Sequence, residues 1–283
     1  MGSSPPTPHP EYLPPEASFN PPPPPPVRRP RSSWSYAPAT YALVAINCLV
    51  FLVMVARRVS AWSPSPEQLL YFGADHAGAV LQSGEWWRIV TAMFVHVGIL
   101  HLATNMWCLW NLGLLAEPLM GSAGVLAVYI LTGAAGNLLS TFYNWMWPIH
   151  DAGGVSFPVG AGASGAVFGI AGALIILLKS HRLPVPPLEL HKLRRSVIYF
   201  AALNLVLGLS ISFGTRVIGS GLQIDNMAHV GGFTCGLLFA APMEPRLGSP
   251  RDLFIFRRRV AIAMVVGLLV LFGFYLAHVP RPG

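Results

Sequence analysis

Charge is what this sequence has least of. Acidic and basic side chains make up 10% of its 283 residues, where a soluble domain carries about 25%. That excludes both an ordinary water-soluble globule and a charge-rich disordered chain. Cysteine is also scarce: Cys48, Cys108 and Cys235 all fall inside apolar runs, which excludes a disulfide framework and leaves packing thiols. No HExxH pair exists and the apolar runs lack the alternation of a membrane barrel, so neither a zinc protease of that type nor a β-barrel is encoded.

What is abundant is apolar sequence. Hydrophobic residues make up 53% of the chain and the mean hydropathy is +0.55. The long stretches are Ser32 to Ala56, Ile89 to Ala116, Pro118 to His150, Ala152 to Leu178, Ser196 to Thr215, Asn226 to Met243 and Val260 to Pro280. A helix crossing a ~30 Å hydrocarbon core needs about 20 mostly apolar residues. These runs therefore read as seven candidate spans, the sixth of them short. Residues 1–35 are proline-rich and poor in anything that packs, and they read as a disordered cytoplasmic tail. The polyproline run reads as a solvated tether in preference to an SH3-type ligand. The first apolar run reads as a retained span, not a signal peptide.

Basic residues set the orientation. Arg28, Arg29 and Arg31 precede the first run; Lys179, Arg182, Lys192, Arg194 and Arg195 separate the fourth from the fifth; Arg246, Arg251 and Arg257 to Arg259 precede the seventh. All belong on the cytoplasmic side, which places Gly283 outside. Arg57, Arg58 and Arg88 weaken the contrast in the first external loop, whereas Arg216 stands alone in its own. The net charge of +7 is thus orientation charge facing acidic lipid, not a nucleic-acid surface.

Spans two, four and six then run from outside to inside. Ser164 lies 15 residues before Lys179, His229 lies 15 before Glu244, and His101 lies 16 before Glu117. At 1.5 Å per residue each is ~22 to 24 Å above the cytoplasmic face, so all three share one depth near the outer third of the bilayer.

Ser164 sits in "GASGAVFG", where Gly165 and Gly169 have the spacing of close-packed membrane helices. Taken alone, it reads as a packing residue. His229 in "DNMAHVGGFTCG" has Gly232 and Gly236 on its own helical face, so that face approaches another helix. An ionisable side chain inside a span is costly and usually functional or paired. A serine hydroxyl becomes a nucleophile when a positioned imidazole takes its proton, and the two residues together favour that chemistry over packing. His101 and Asn105 share one helix face at i and i+4, and an imidazole with an amide can stabilise an oxyanion beside the nucleophile's own N–H. Interhelical hydrogen bonding is the plainer role for Asn105. His96, more than a turn earlier on the same helix, makes a poor zinc partner for His101, because no acidic ligand shares their face.

"HLATN", "GASGAVFG" and "AHVGGFTCG", with "EWWR" and "EPLMGS", resemble the signature regions of the rhomboid intramembrane serine proteases over about Tyr36 to Pro242. The resemblance implies an all-α polytopic membrane protein. Its six-helix catalytic core would occupy residues 36–242, and a basic linker with a seventh transmembrane helix residues 243–283. It implies a serine endopeptidase that cleaves transmembrane segments of single-span or polytopic substrates with no cofactor and no metal. Ser164 would be the nucleophile, His229 the general base, and His101, Asn105 and the Ser164 N–H the oxyanion hole. Trp86 and Arg88 would have a structural role in a membrane-embedded loop. Phe168 departs from the tyrosine of many relatives, keeping a ring to stack on His229 and losing its hydroxyl. Asp225, one turn before His229, reads as an interfacial charge and not as a triad member. The alternative is a catalytically inactive rhomboid-like protein that binds membrane clients, although such relatives typically lack the serine or the histidine. A transporter is disfavoured, since an inverted repeat and charges along an ion path are missing. The composition fits a bacterial cell membrane from a high-GC organism, and an organellar membrane fits as well.

Overall fold

The computed structural model describes residues 2, 36–151, 154–218 and 225–280, with the backbone alone for 151 and 207–218. The expected proline-rich tail (apart from Gly2), Arg28, Arg29, Arg31, the side chain of Arg216 and Gly283 lie outside the described residues.

The described chain is built from helices. The long ones are α1 (Pro38–Ala56), α5 (Ile99–Met120), α6 (Ser122–Met146), α7 (Ser164–Leu177), α8 (Pro187–Ile218), α9 (Asn226–Ala240) and α10 (Arg251–Ala277). Among the described residues, α1, α5, α6 and α10 are the four long and apolar enough to cross a membrane, and α7 is a shorter apolar helix. The molecule is an all-α polytopic membrane protein.

Helix α1 begins with Pro38 in its first turn, where a missing N–H costs nothing, but has no side-chain cap of its own. The cap comes from α5: the buried Glu117 carboxylate accepts the N–H groups of Ala39 and Thr40 at 2.9 Å each and the Thr40 hydroxyl at 2.8 Å. One side chain thereby satisfies helix-end donors that lipid could not.

Between α1 and α5 the chain folds into short elements: α2 (Pro66–Tyr71), β1 (Asp75–His76), α3 (Ala77–Leu81), α4 (Arg88–Thr91) and a 3-10 turn, Ala92–Phe94. Arg88 staples them, donating to the carbonyls of Leu70 at 2.7 Å and Ala74 at 3.0 Å and pairing with Glu85 at 2.6 Å. The second span, expected from Ile89, therefore starts ten residues later at Ile99. Gly98, with φ of 102°, breaks the backbone there, and Ile89, Ala92, Met93 and Val95 of the apolar run before it are buried against protein.

The fourth span also starts later than Ala152. An antiparallel hairpin, β2 (Ile149–Asp151) with β3 (Gly154–Ser156), comes first, then β4 (Val159–Gly160), which pairs antiparallel with β1 as Asp75↔Gly160 and His76↔Val159. Helix α7 follows and is enclosed by neighbours: Gly165 through Leu174 are all buried. Helix α10 is peripheral, buried over only 17% of its apolar stretch and touching α6 through Phe142 and Phe272.

Candidate active site

Helices α7 and α9 meet backbone to backbone. Gly232 lies against the Gly165 carbonyl, Gly236 against that of Gly169, and Gly172 against that of Phe233. Rising residue numbers match along both helices, so the two run parallel. Without a Cβ on these faces the backbones approach more closely than any larger residue permits. Ser164 is the first residue of α7 and His229 the fourth of α9, so both stand at the same end of this seam. The expectation of one shared depth matches this arrangement.

The His229 imidazole is 6% exposed and stacks on Phe168, with ring centroids 4.4 Å apart and planes inclined by 10°. Phe168 is one turn below Ser164 on the same face of α7, so the imidazole lies on the serine's side of the helix. Nδ1 of His229 is buried without a hydrogen-bond partner, and no hydrogen bond joins Ser164 to His229 among the described residues. Asp225 is engaged elsewhere: its carboxylate caps α9 by accepting the Ala228 N–H at 2.9 Å and takes the Ser140 hydroxyl. It is no third member of a catalytic triad in this arrangement.

His101, the third residue of α5, reaches the same end. The Val97 N–H donates to its Nδ1 at 3.4 Å, which leaves the proton on Nε2. The Nε2 edge packs against Gly162, where a Cβ would lie 2.6 Å from Cε1 and 3.0 Å from Nε2. Gly162 also has φ of 133°, a second reason that only glycine fits there. Asn105 is buried and gives one amide hydrogen to the His101 carbonyl at 2.9 Å, which leaves its second for another acceptor.

His96 behaves differently from the expectation. It lies off α5, before the Gly98 break, and is fully buried. Its Nε2 accepts the Ala163 N–H at 3.4 Å, while Nδ1 contacts the Phe94 carbonyl at 3.3 Å. The residue immediately before Ser164 is thus held by a histidine from the loop. The "HVGILH" spacing was its only local signal. His96 and His101 stand with ring centroids 5.3 Å apart. Among the described residues no group of three or more histidine, cysteine or acidic side chains gathers as a metal site.

Comparison with known proteins identifies the family. The Rhomboid domain family matches residues 83–246. Rhomboid protease GluP of Bacillus subtilis (strain 168) is 31% identical over 241 residues, covering 85% of this chain and 41% of that protein. Rhomboid protease AarA of Providencia stuartii is 29% identical over 210 residues, covering 71% and 70%. RHOMBOID-like protein 7 of Arabidopsis thaliana is 29% identical over 175 residues, covering 62% of this chain and 48% of its own. The match takes in less than half of GluP and of the Arabidopsis protein. The chain belongs to the rhomboid family.

Proposed function

We propose that this chain is an intramembrane serine endopeptidase, in which Ser164 attacks the scissile carbonyl and His229 takes its proton. The observation that carries this reading is the parallel glycine seam of α7 and α9, which sets His229 on the Ser164 face of α7 with its ring fixed on Phe168. A hydroxyl needs such a base to become a useful nucleophile. The base here is oriented by stacking and not by a carboxylate, since Asp225 is hydrogen-bonded to Ser140 and Ala228.

Ser164 opens α7, so its N–H has no acceptor within the helix and the positive end of the helix dipole lies beside it. Together with Nε2–H of His101 and the free amide hydrogen of Asn105, it would form an oxyanion hole for the tetrahedral intermediate. His229 then returns the proton to the leaving amine, and water enters to release the acyl group. Residues 36–242 form the catalytic core in this reading, and six of the long helices with α10 as a seventh complete its spans. With the loop from Lys179 to Arg195 cytoplasmic, the Ser164 end of α7 faces the external side. A substrate helix keeps its amides bonded and dry, so it must unwind locally to present its backbone, and glycine, proline or polar residues lower that cost.

The test is covalent labelling of the purified, detergent-solubilised chain by a serine-directed phosphonate, together with cleavage of a single-span reporter. Labelling and cleavage are expected for the wild type and lost in both Ser164→Ala and His229→Ala, because residues acting as a unit fail together. Cleavage that persists in purified Ser164→Ala sinks the protease reading. A wild type that neither labels nor cleaves returns the chain to client binding.

A further inference from the structure

Two carboxyl groups that the hydrolytic chemistry does not use lie beside Gly160, each held by a hydroxyl of α6. Asp75, on β1, is 2% exposed, and the Thr141 hydroxyl lies 3.1 and 2.9 Å from its two oxygens. Asp225, the cap of α9, is held by Ser140, the neighbour of Thr141 on α6. Both carboxyl groups border Gly160: a Cβ there would lie 3.2 Å from Asp225 Oδ2 and 3.8 Å from Asp75 Oδ2. Gly160 is also the ladder partner of Asp75 and the last residue of β4, four residues before the nucleophile.

The pair therefore ties three things to α6: the first loop through β1, the approach to Ser164 through β4, and the His229 helix through its cap. The charged and titratable groups around it do not neutralise it. Arg88 from α4 is occupied by Glu85 and by the carbonyls of Leu70 and Ala74. His76, beside Asp75, accepts the Ala79 N–H, and burial with Arg88 nearby holds it below the usual histidine range. From α6 come the two hydroxyls, with Asn144 donating to Ser140. Burial pushes the Asp75 carboxyl up to about 7, and the charge of Asp225 acts in the same direction; burial raises Asp225 as well. Two like-charged carboxylates enclosed together cannot both ionise without strain.

We propose that Asp75 and Asp225 form an electrostatically coupled carboxyl pair, positioning residues that clamp β4 and the His229 helix on α6 while Asp75 holds a proton and loosen when it ionises. The catalytic consequence rests on the serine protease reading; the clamp itself does not. The sign follows from linkage. A carboxyl raised in the fold binds its proton where the unfolded chain has lost it, so stability falls as pH rises from about 4 to about 7 and is level above. Activity follows the protonated fraction of the folded pair, so its alkaline decline begins at about pH 7, where the stability curve levels off, on top of the acid decline set by the general base.

The experiment uses the full chain in liposomes. Reporter cleavage and melting temperature are followed from about pH 4 to 9 for the wild type, Asp75→Asn and Asp225→Asn; both substitutions keep an acceptor, and asparagine is as good a helix cap as the aspartate it replaces at the start of α9. A one-proton decline changes activity about tenfold per pH unit beyond its midpoint. The asparagine variants should keep wild-type kcat near pH 6 and move the alkaline limb upward by about one unit or more. Melting temperature in the wild type should fall between about pH 4 and 7 and flatten in Asp75→Asn. If one variant fails to fold, the other carries the test. Wild-type profiles of activity and melting in the folded variants overturn the proposal. A flattened melting profile with an unmoved activity limb overturns the positioning role. The melting series repeated in Ser164→Ala, which needs no catalysis, separates failure of the clamp from failure of the protease reading.

Discussion

Replacing Gly232 by alanine tests whether the seam between α7 and α9 sets the catalytic geometry. The added Cβ lands on the Gly165 carbonyl oxygen, with the Gly165 carbonyl carbon 2.7 Å away and its Cα 3.1 Å away. Carbon atoms pack at about 3.5 to 4.0 Å. All three obstacles are backbone, so no rotamer change relieves them and α9 must retreat by about 1 Å. Overpacking of this kind costs about 1–3 kcal/mol in stability. The effect on rate is expected to be larger, because a ~1 Å misplacement of reacting groups can cost about 100-fold. His229 is carried on the very turn that moves, and its stack on Phe168 cannot follow, since Phe168 belongs to the other helix. Gly232→Ala in liposomes should therefore cleave a transmembrane reporter about 100-fold more slowly while remaining folded. Gly267→Ala on α10, where no atom lies within 4 Å of the new Cβ, is the control and should behave as wild type. Wild-type cleavage by Gly232→Ala, measured beside that control, refutes the claim that this approach fixes the distance between base and nucleophile.

Asn105→Ala and His101→Ala should each lower kcat by roughly 100- to 1,000-fold, the loss typical of an oxyanion donor, with the melting temperature little changed; full activity in the double variant removes them from the oxyanion hole. Glu117→Ala leaves three donors at the start of α1 without their acceptor and should lower stability by about 2 kcal/mol or more, read as a fall in melting temperature; an unchanged melting temperature refutes the capping role.

Much of the candidate site was legible because it rests on local spacing and on direction. Lysine and arginine placement orients the helices, helical rise converts residue counts into depth, and Ser164, His101 and His229 come out together at the first turns of α7, α5 and α9. The glycines at 232 and 236 were legible for the same reason: a face that carries a histidine and two glycines has to meet another backbone. The starts of the second and fourth spans were not legible. Hydropathy reports that Ile89 to Val97 avoids water but not whether lipid or protein supplies the cover, and here protein buries Ile89, Ala92, Met93, Val95 and His96, with the Asn137 amide donating to the Ile89 carbonyl at 2.9 Å.

The groups that escaped sequence reading are those whose meaning depends on a partner far away in the chain. His96 reads as a helix residue above His101, yet it supports the backbone N–H just before Ser164, 67 positions on. Glu117 reads as a marker of the cytoplasmic end of a span, yet its carboxylate completes the start of α1, 77 and 78 positions back. Asp225 reads as an interfacial charge because its neighbours in sequence offer only the helix start that it caps; its distant partner is Ser140, brought there by α6, and the pairing of β1 with β4 brings Asp75 to the same Gly160. A bilayer sharpens this contrast. A buried charge at depth is costly unless it is paired within the protein, so an unexplained acidic residue in an apolar sequence already implies a distant contact, and only the fold says which residue it is.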